Sequence, residues 1–246
     1  MRSIRRPLAV TGAVLGLVCV APLAHALGAN GPGSRPTPTC PSFNSANFGN
    51  STTINNSYFP LVPGTRFTYK GAVQKSPVVD IVAVTHKTRT IAGVKTIEVR
   101  DQVFEAGVLT EDTLDWYGQD DQGNVWYFGE LATQLPAATH DGSWTAGVDG
   151  AQPGYIMEAA PQVGDNYCQE NAPGEAQDAA QVLSVSATRS VPFGRFAGNV
   201  LQTKDYSLLE PKNENKFYAP GVGMVEAIST TGPSEDIQLY TVKHGK

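Results

Sequence analysis

Residues 97–103 read IEVRDQV, and the apolar side chains Ile97, Val99 and Val103 fall on alternating positions. That is the period of a β-strand with one buried face. Segments of the same kind, set off by Gly and Pro about every ten residues, recur outward from it at 66–73, 78–87, 95–105, 109–120, 124–130, 180–189, 199–208, 216–218, 224–229 and 237–243. No segment carries a convincing helical stripe; the best helical candidate, 174–183, is short and opens on Pro173-Gly174. The pattern predicts an all-β protein, an antiparallel up-and-down sheet strongly curved or closed into a half-barrel or barrel, with a ligand cavity as its functional space. Between 131 and 178 the strand signal weakens among Pro136, Pro153, Pro161 and Pro173. A long loop excursion is expected there, and such loops are more often functional than accidental.

The N-terminus carries Arg2, Arg5 and Arg6, then an apolar run over 7–23, then Ala24-His25-Ala26. This is the pattern of a secretory signal peptide over 1–26, so the chain is expected to be secreted, without a membrane anchor. A flexible lead over 27–57 and one β domain over 58–246 complete the expected organisation. Cleavage after Ala26 leaves 220 residues with 15 Lys and Arg against 23 Asp and Glu, a formal charge of −8. An acidic chain of this kind argues against nucleic acid and anionic membranes as partners, since both demand basic surface. Cys19 leaves with the signal, so Cys40 and Cys168 are each other's one intramolecular partner in an oxidising compartment.

The stretches YFPLVPGTRFTYKG (58–71), VPFGRF (191–196) and KFYAPGVGMVE (216–226), together with EDTLDWYGQD and GNVWYFGE, resemble an uncharacterised family of secreted bacterial half-barrel β proteins, a broad group that includes lipoprotein-carrier-like domains. The resemblance spans most of 58–243 and implies the fold. Its motifs are mainly strand and turn signals, so it transfers no catalytic residue.

Charge is distributed unevenly. Over 101–188 there are fifteen Asp and Glu, all three Trp, and no Lys or Arg. Within that zone, EDTLDWYGQDDQGNVWYFGE (111–130) reads as a hairpin turning at Asp121-Gln122-Gly123. Strict alternation puts Asp115, Tyr117 and Gln119 on one face of its first strand. On the second strand it groups Asn124, Trp126, Phe128 and Glu130 against Val125 and Tyr127. Crowded carboxylates without basic partners raise one another's pKa, which is what a general acid needs.

Three functions suit these residues. In the first, paired carboxyl groups act on glycosidic bonds of an extracellular polysaccharide. Asp112, Asp115 and Glu130 from the hairpin, with Asp149, Glu170 and Glu175 from the excursion, are the catalytic candidates. Trp116, Tyr117, Gln119, Trp126, Trp144 and His140 are the ligand-binding candidates, aromatic faces offering sugar rings an apolar platform. In the second, acidic oxygens around Asp120-Asp121-Gln122-Gly123-Asn124 hold Ca²⁺, although the spacing is not that of an EF-hand. In the third, the curved sheet is a non-catalytic carrier of an apolar, polar or cationic ligand. No other cofactor is expected: the mature chain lacks HExxH, GxSxG and a Walker loop.

Overall fold

The computed structural model describes residues 37–245; the signal peptide expected over 1–26 lies outside the described residues. A short 3₁₀ turn, Ser45–Asn47, precedes fourteen strands. The first five are β1 (Arg66–Val73), β2 (Ser76–Ile91), β3 (Val94–Glu105), β4 (Val108–Gln119) and β5 (Val125–Leu131). The excursion contains β6 (Trp144–Thr145), β7 (Gln152–Met157), β8 (Asn166–Cys168) and β9 (Glu170–Asn171). The last five are β10 (Asp178–Val191), β11 (Gly194–Ser207), β12 (Asn213–Ala219), β13 (Gly223–Thr231) and β14 (Glu235–Lys243). All ladder pairings between named strands are antiparallel.

The sheet runs β8-β10-β11-β12-β13-β14-β1-β2-β3-β4-β5-β7-β9, with β6 on β5. It is an up-and-down meander whose two ends in sequence meet where β14 pairs with β1, and it curls nearly into a barrel with one unsealed seam. The three turns from β1 to β4 have two residues each: Gln74-Lys75, Ala92-Gly93 and Ala106-Gly107, all at positive φ. Turns of that geometry match the right-handed twist of the strands they join, which lets long strands follow one another without gaps.

The 174–183 segment is not a helix. Gly174 sits at positive φ in a turn, and from Asp178 the chain runs as β10. Ala179, Ala180 and Val182 are buried there, and the strand pairs with β8 on one side and β11 on the other. Tertiary pairing overrides the weak helical propensity of this alanine-rich stretch.

At the seam, β7 approaches the β8–β9 corner through Gly154. A Cβ on Gly154 would meet the backbone oxygens of Cys168 at 2.4 Å and Gln169 at 2.6 Å, so only glycine allows the approach. The Cys40–Cys168 disulfide forms beside it and closes a loop of sequence separation 128. Residues 37–57, read from composition as a flexible lead, lie packed on the outer face of β4 and β5. Phe43 and Phe48 sit 5.7–5.8 Å from the rings of Trp126 and Phe128. Gln119 fastens the end of this segment, its Oε1 accepting from the backbone N–H groups of Asn55 and Asn56 at 2.9 Å each.

Candidate functional site

The barrel interior is polar as well as apolar. On β4 the inward positions are Glu111, Thr113, Asp115 and Tyr117, all buried, while Asp112 and Leu114 between them are partly exposed. Asp80 on β2 and Asp101 on β3 take the same phase as the buried valines around them, Val78 and Val82, and Val99 and Val103. Asp178, Asp205, Glu214 and Glu235 are buried on β10, β11, β12 and β14. Among the described residues one buried base answers them: the Lys216 ammonium lies 3.2 Å from Asp205 and 3.1 Å from Glu214. Burial by itself would lower the Lys216 pKa, but Glu214 and Asp205 raise it well above the ordinary lysine value.

Hairpin register decides where Glu130 points. Tyr117 is opposite Tyr127, yet Asp115 is opposite Glu130, because β5 carries an irregularity across Phe128 and Gly129. Strict alternation had grouped Glu130 with Trp126 and Phe128; the bulge turns it to the face of Tyr127 instead. Gly129, at φ +131°, allows this, and a Cβ there would strike the Trp144 carbonyl oxygen at 2.3 Å. Tyr117 and Tyr127 stack at 4.8 Å between ring centroids, and the Tyr127 hydroxyl donates to Asp115 Oδ1 at 2.6 Å.

Asp115, Glu130 and Glu170 are brought together. Burial pushes the Glu130 carboxyl well above the usual range, and the negative charges of Glu170 and Asp115 push it further. Glu170 is raised by burial and then by Asp178, against a smaller opposing pull from Lys216. Asp115 is raised by burial and by Asp101, with the Tyr127 hydrogen bond working the other way. The physical cause is common: charged carboxylates lose their hydration inside the barrel, so the protonated forms are favoured. Glu111 and Asp178, raised to about 7 mainly by burial, extend the same set.

Glu130 also borders a cavity of about 530 Å³ whose walls include Arg89, Trp116, Trp144, Asp149 and Glu175. Trp144 is held inward over Tyr127, 5.5 Å edge to face, by β6 pairing with β5. Trp116 faces the opposite side of β4, and its indole N–H has no acceptor among the described residues. The guanidinium of Arg89, from the end of β2, lies 4.4 Å from the centroid of the Trp116 ring. Glu175 is exposed and accepts from the Gly142 N–H at 3.0 Å, and Asp149 is exposed in a left-handed turn at φ +50°.

The remaining candidates lie elsewhere. Asp112 is on the outer face, in a two-toothed ion pair with Arg100 at 2.7 and 2.5 Å. Trp126 donates to Asp120 at 2.8 Å beneath the lead, and Gln119 holds that lead in place. Tyr117 is fully buried in its stack. His140 is exposed, its Nδ1 2.7 Å from the Ala132 carbonyl oxygen. Around the Asp120-Asp121 turn, Asp120 accepts from the Gln122 and Asn124 N–H groups and Asp121 from Gly49, so these oxygens already have partners. Among the described residues, no group of three or more His, Cys, Asp or Glu is placed to hold a metal ion.

Sequence reasoning missed Arg89, because it lies outside the acidic zone and reaches the cavity only through the β2–β3–β4 pairing. It also missed the interior acids Asp80, Asp101, Glu111, Asp178, Asp205, Glu214 and Glu235. Their signal was present: in IEVRDQV, Asp101 stands in phase with Ile97, Val99 and Val103, a polar residue written into the buried face.

No protein-family model and no curated protein matches the chain. Two solved structures are similar in shape. One, described as an exported protein with a YmcC-like fold, is from Bacteroides fragilis; it is 14% identical, with 76% of this chain and 99% of that chain covered and a TM-score of 0.46. The other, described as a lipoprotein, is from Parabacteroides distasonis; it is 13% identical over the same shares, with a TM-score of 0.42. Neither description says what the protein binds or acts on.

Proposed function

We propose that this is an exported β-barrel protein that binds extracellular carbohydrate in the cavity between Trp116, Trp144, Glu130, Asp149 and Glu175. The observation that supports the reading is the composition of that one space. Indole side chains and carboxyl groups line about 530 Å³, a volume in the range of small-molecule sites. Sugars present apolar ring faces and a rim of hydroxyls, and this wall offers both an aromatic contact and hydrogen-bond acceptors. The Cys40–Cys168 bridge suits the oxidising compartment in which such a ligand would be met.

Titration calorimetry of the mature protein with neutral β-1,4-linked glucose and N-acetylglucosamine hexamers tests this. Saturable binding that shifts tryptophan emission is the expected result. No binding and no emission change with these hexamers or with the unacetylated glucosamine hexamer would contradict it.

A second reading, hydrolysis, has one observation in its favour: Glu130, whose carboxyl is pushed well above the usual carboxylate range by burial and neighbouring charge, shares the cavity with the exposed Asp149 and Glu175. A general acid beside a solvated carboxylate is the pairing that glycoside hydrolysis uses. Under this reading Glu130→Gln abolishes release of reducing ends while oligosaccharide binding persists. Full turnover in that variant would remove Glu130 from the chemistry.

A further inference from the structure

The cavity has a pronounced charge imbalance. Three carboxyl side chains, Glu130, Asp149 and Glu175, border it, and Arg89 is the one basic residue in its wall. Apart from Arg89, every residue lining it belongs to the 101–188 zone, which contains no Lys or Arg. Arg89 is exposed at the end of β2, and no ion pair to it occurs among the described residues. Its guanidinium lies instead over the Trp116 ring at 4.4 Å, a cation–π contact. The buried Trp116 indole N–H, meanwhile, is left without an acceptor among the described residues. A tethered cation thus occupies the place that a soluble one would take.

We propose that the ligand of this cavity is a cationic amino sugar, such as a glucosamine-containing oligosaccharide, with Arg89 acting as a competing internal cation over Trp116. This rests on the carbohydrate reading above and specifies its substrate class. The ammonium of the sugar sits among Asp149, Glu175 and Glu130 and over the indole, and the sugar hydroxyls or ring oxygen accept from Trp116. Glu130 faces Glu170, Asp115, Glu111 and Asp178, all acidic, so an arriving cation draws its proton off and leaves a new negative charge beside the ligand. Arg89 must swing away for this, which its exposed position permits.

The test is titration calorimetry of the mature protein with two probes of equal length, a glucosamine hexamer and an N-acetylglucosamine hexamer, at mildly acidic pH. The glucosamine hexamer is expected to bind about tenfold more tightly, a preference of the size that two or three partly exposed charge pairs supply, and salt should erase it. In Asp149→Asn/Glu175→Gln the preference should fall to about twofold. Arg89→Ala should tighten glucosamine binding, because it removes the competitor. Equal or better binding of the acetylated probe overturns the cationic class and leaves the carbohydrate reading standing; no binding of either overturns both. Loss of glucosamine binding in Arg89→Ala overturns the role given to Arg89, since a competitor's removal cannot weaken the ligand.

Discussion

Asp115 and Glu130 stand directly opposite each other on β4 and β5, both buried, and only the bulge at Phe128 and Gly129 makes them neighbours. Two carboxylates so placed cannot both ionise cheaply without water. Each therefore keeps its proton at a pH where an exposed acid has lost it. This pair links the two parts of the molecule that matter here, the acid-lined barrel interior and the cavity that Glu130 borders.

The interior acids set an unusual pH dependence. Glu111, Asp178 and Glu235 are each raised to about 7, chiefly by burial. In the unfolded chain these groups ionise near pH 4. Between the two values the folded state holds protons that the unfolded state has released, so stability falls as pH rises. Their stabilising protons are fully in place below about pH 4 and lost by about pH 8. The melting temperature at pH 5 is expected to exceed that at pH 8, and Glu111→Gln should flatten the slope. A protein more stable at pH 8 would contradict the protonated interior.

Lys216 is the exception to that rule, an ammonium 2% exposed between Asp205 and Glu214. Lys216→Met strands two buried carboxylates and should cost about 3 to 5 kcal/mol in urea unfolding. Adding Asp205→Asn and Glu214→Gln removes the stranded charges and should restore most of that loss. A single variant within about 0.5 kcal/mol of wild type, the range of an unremarkable surface change, would show that the pair contributes nothing.

Tyr127 makes a 2.6 Å hydrogen bond to Asp115 while stacking on Tyr117. Tyr127→Phe keeps the stack and deletes the donor, so about 1 to 3 kcal/mol of stability should be lost. Asp115→Asn in the Phe background should lose little more, because the carboxyl is already without this donor. Additive losses would mean the two residues are not coupled.

The seam depends on Gly154 and on the Cys40–Cys168 bridge. Gly154→Ala places a methyl inside the contact distance of the 168 and 169 carbonyl oxygens and should lower the melting temperature by several degrees. Reducing the bridge removes the constraint of a 128-residue separation, worth about 4 kcal/mol. Proteolysis should then cut the lead around Phe43 and Phe48 first. A reduced protein with unchanged melting temperature and an intact lead would show that ring packing alone holds it.

Much of the fold was legible because alternation and turn residues are local signals. The segments at 66–73 and 95–105 match β1 and β3 to within a residue, and each of the ten segments named from sequence overlaps one strand. Short strands β6 to β9 were hidden in the excursion: two or three residues cannot display a period in β6, β8 and β9, and the six of β7 include Pro153 and Gly154, which read as turn residues. The candidate site was legible in composition but not in register. Trp116, Trp144, Glu130, Asp149 and Glu175 do border one space, yet Asp112, Gln119 and Trp126 belong to an ion pair and to the lead's anchorage. A single bulge decided which face Glu130 joined, and no alternation rule contains it.

Under the proposed function, ligand binds in the Trp116–Trp144 cavity. Val148 lines it and is 52% exposed, so Val148→Arg can fill the space without disturbing the core. Calorimetric titration of wild type and Val148→Arg with the same glucosamine hexamer is the most direct measurement. Saturable binding by the wild type and a loss of at least about tenfold in the variant, roughly 1.4 kcal/mol, are expected. Equal affinity in two proteins of equal melting temperature would contradict it and place the binding site elsewhere on the barrel.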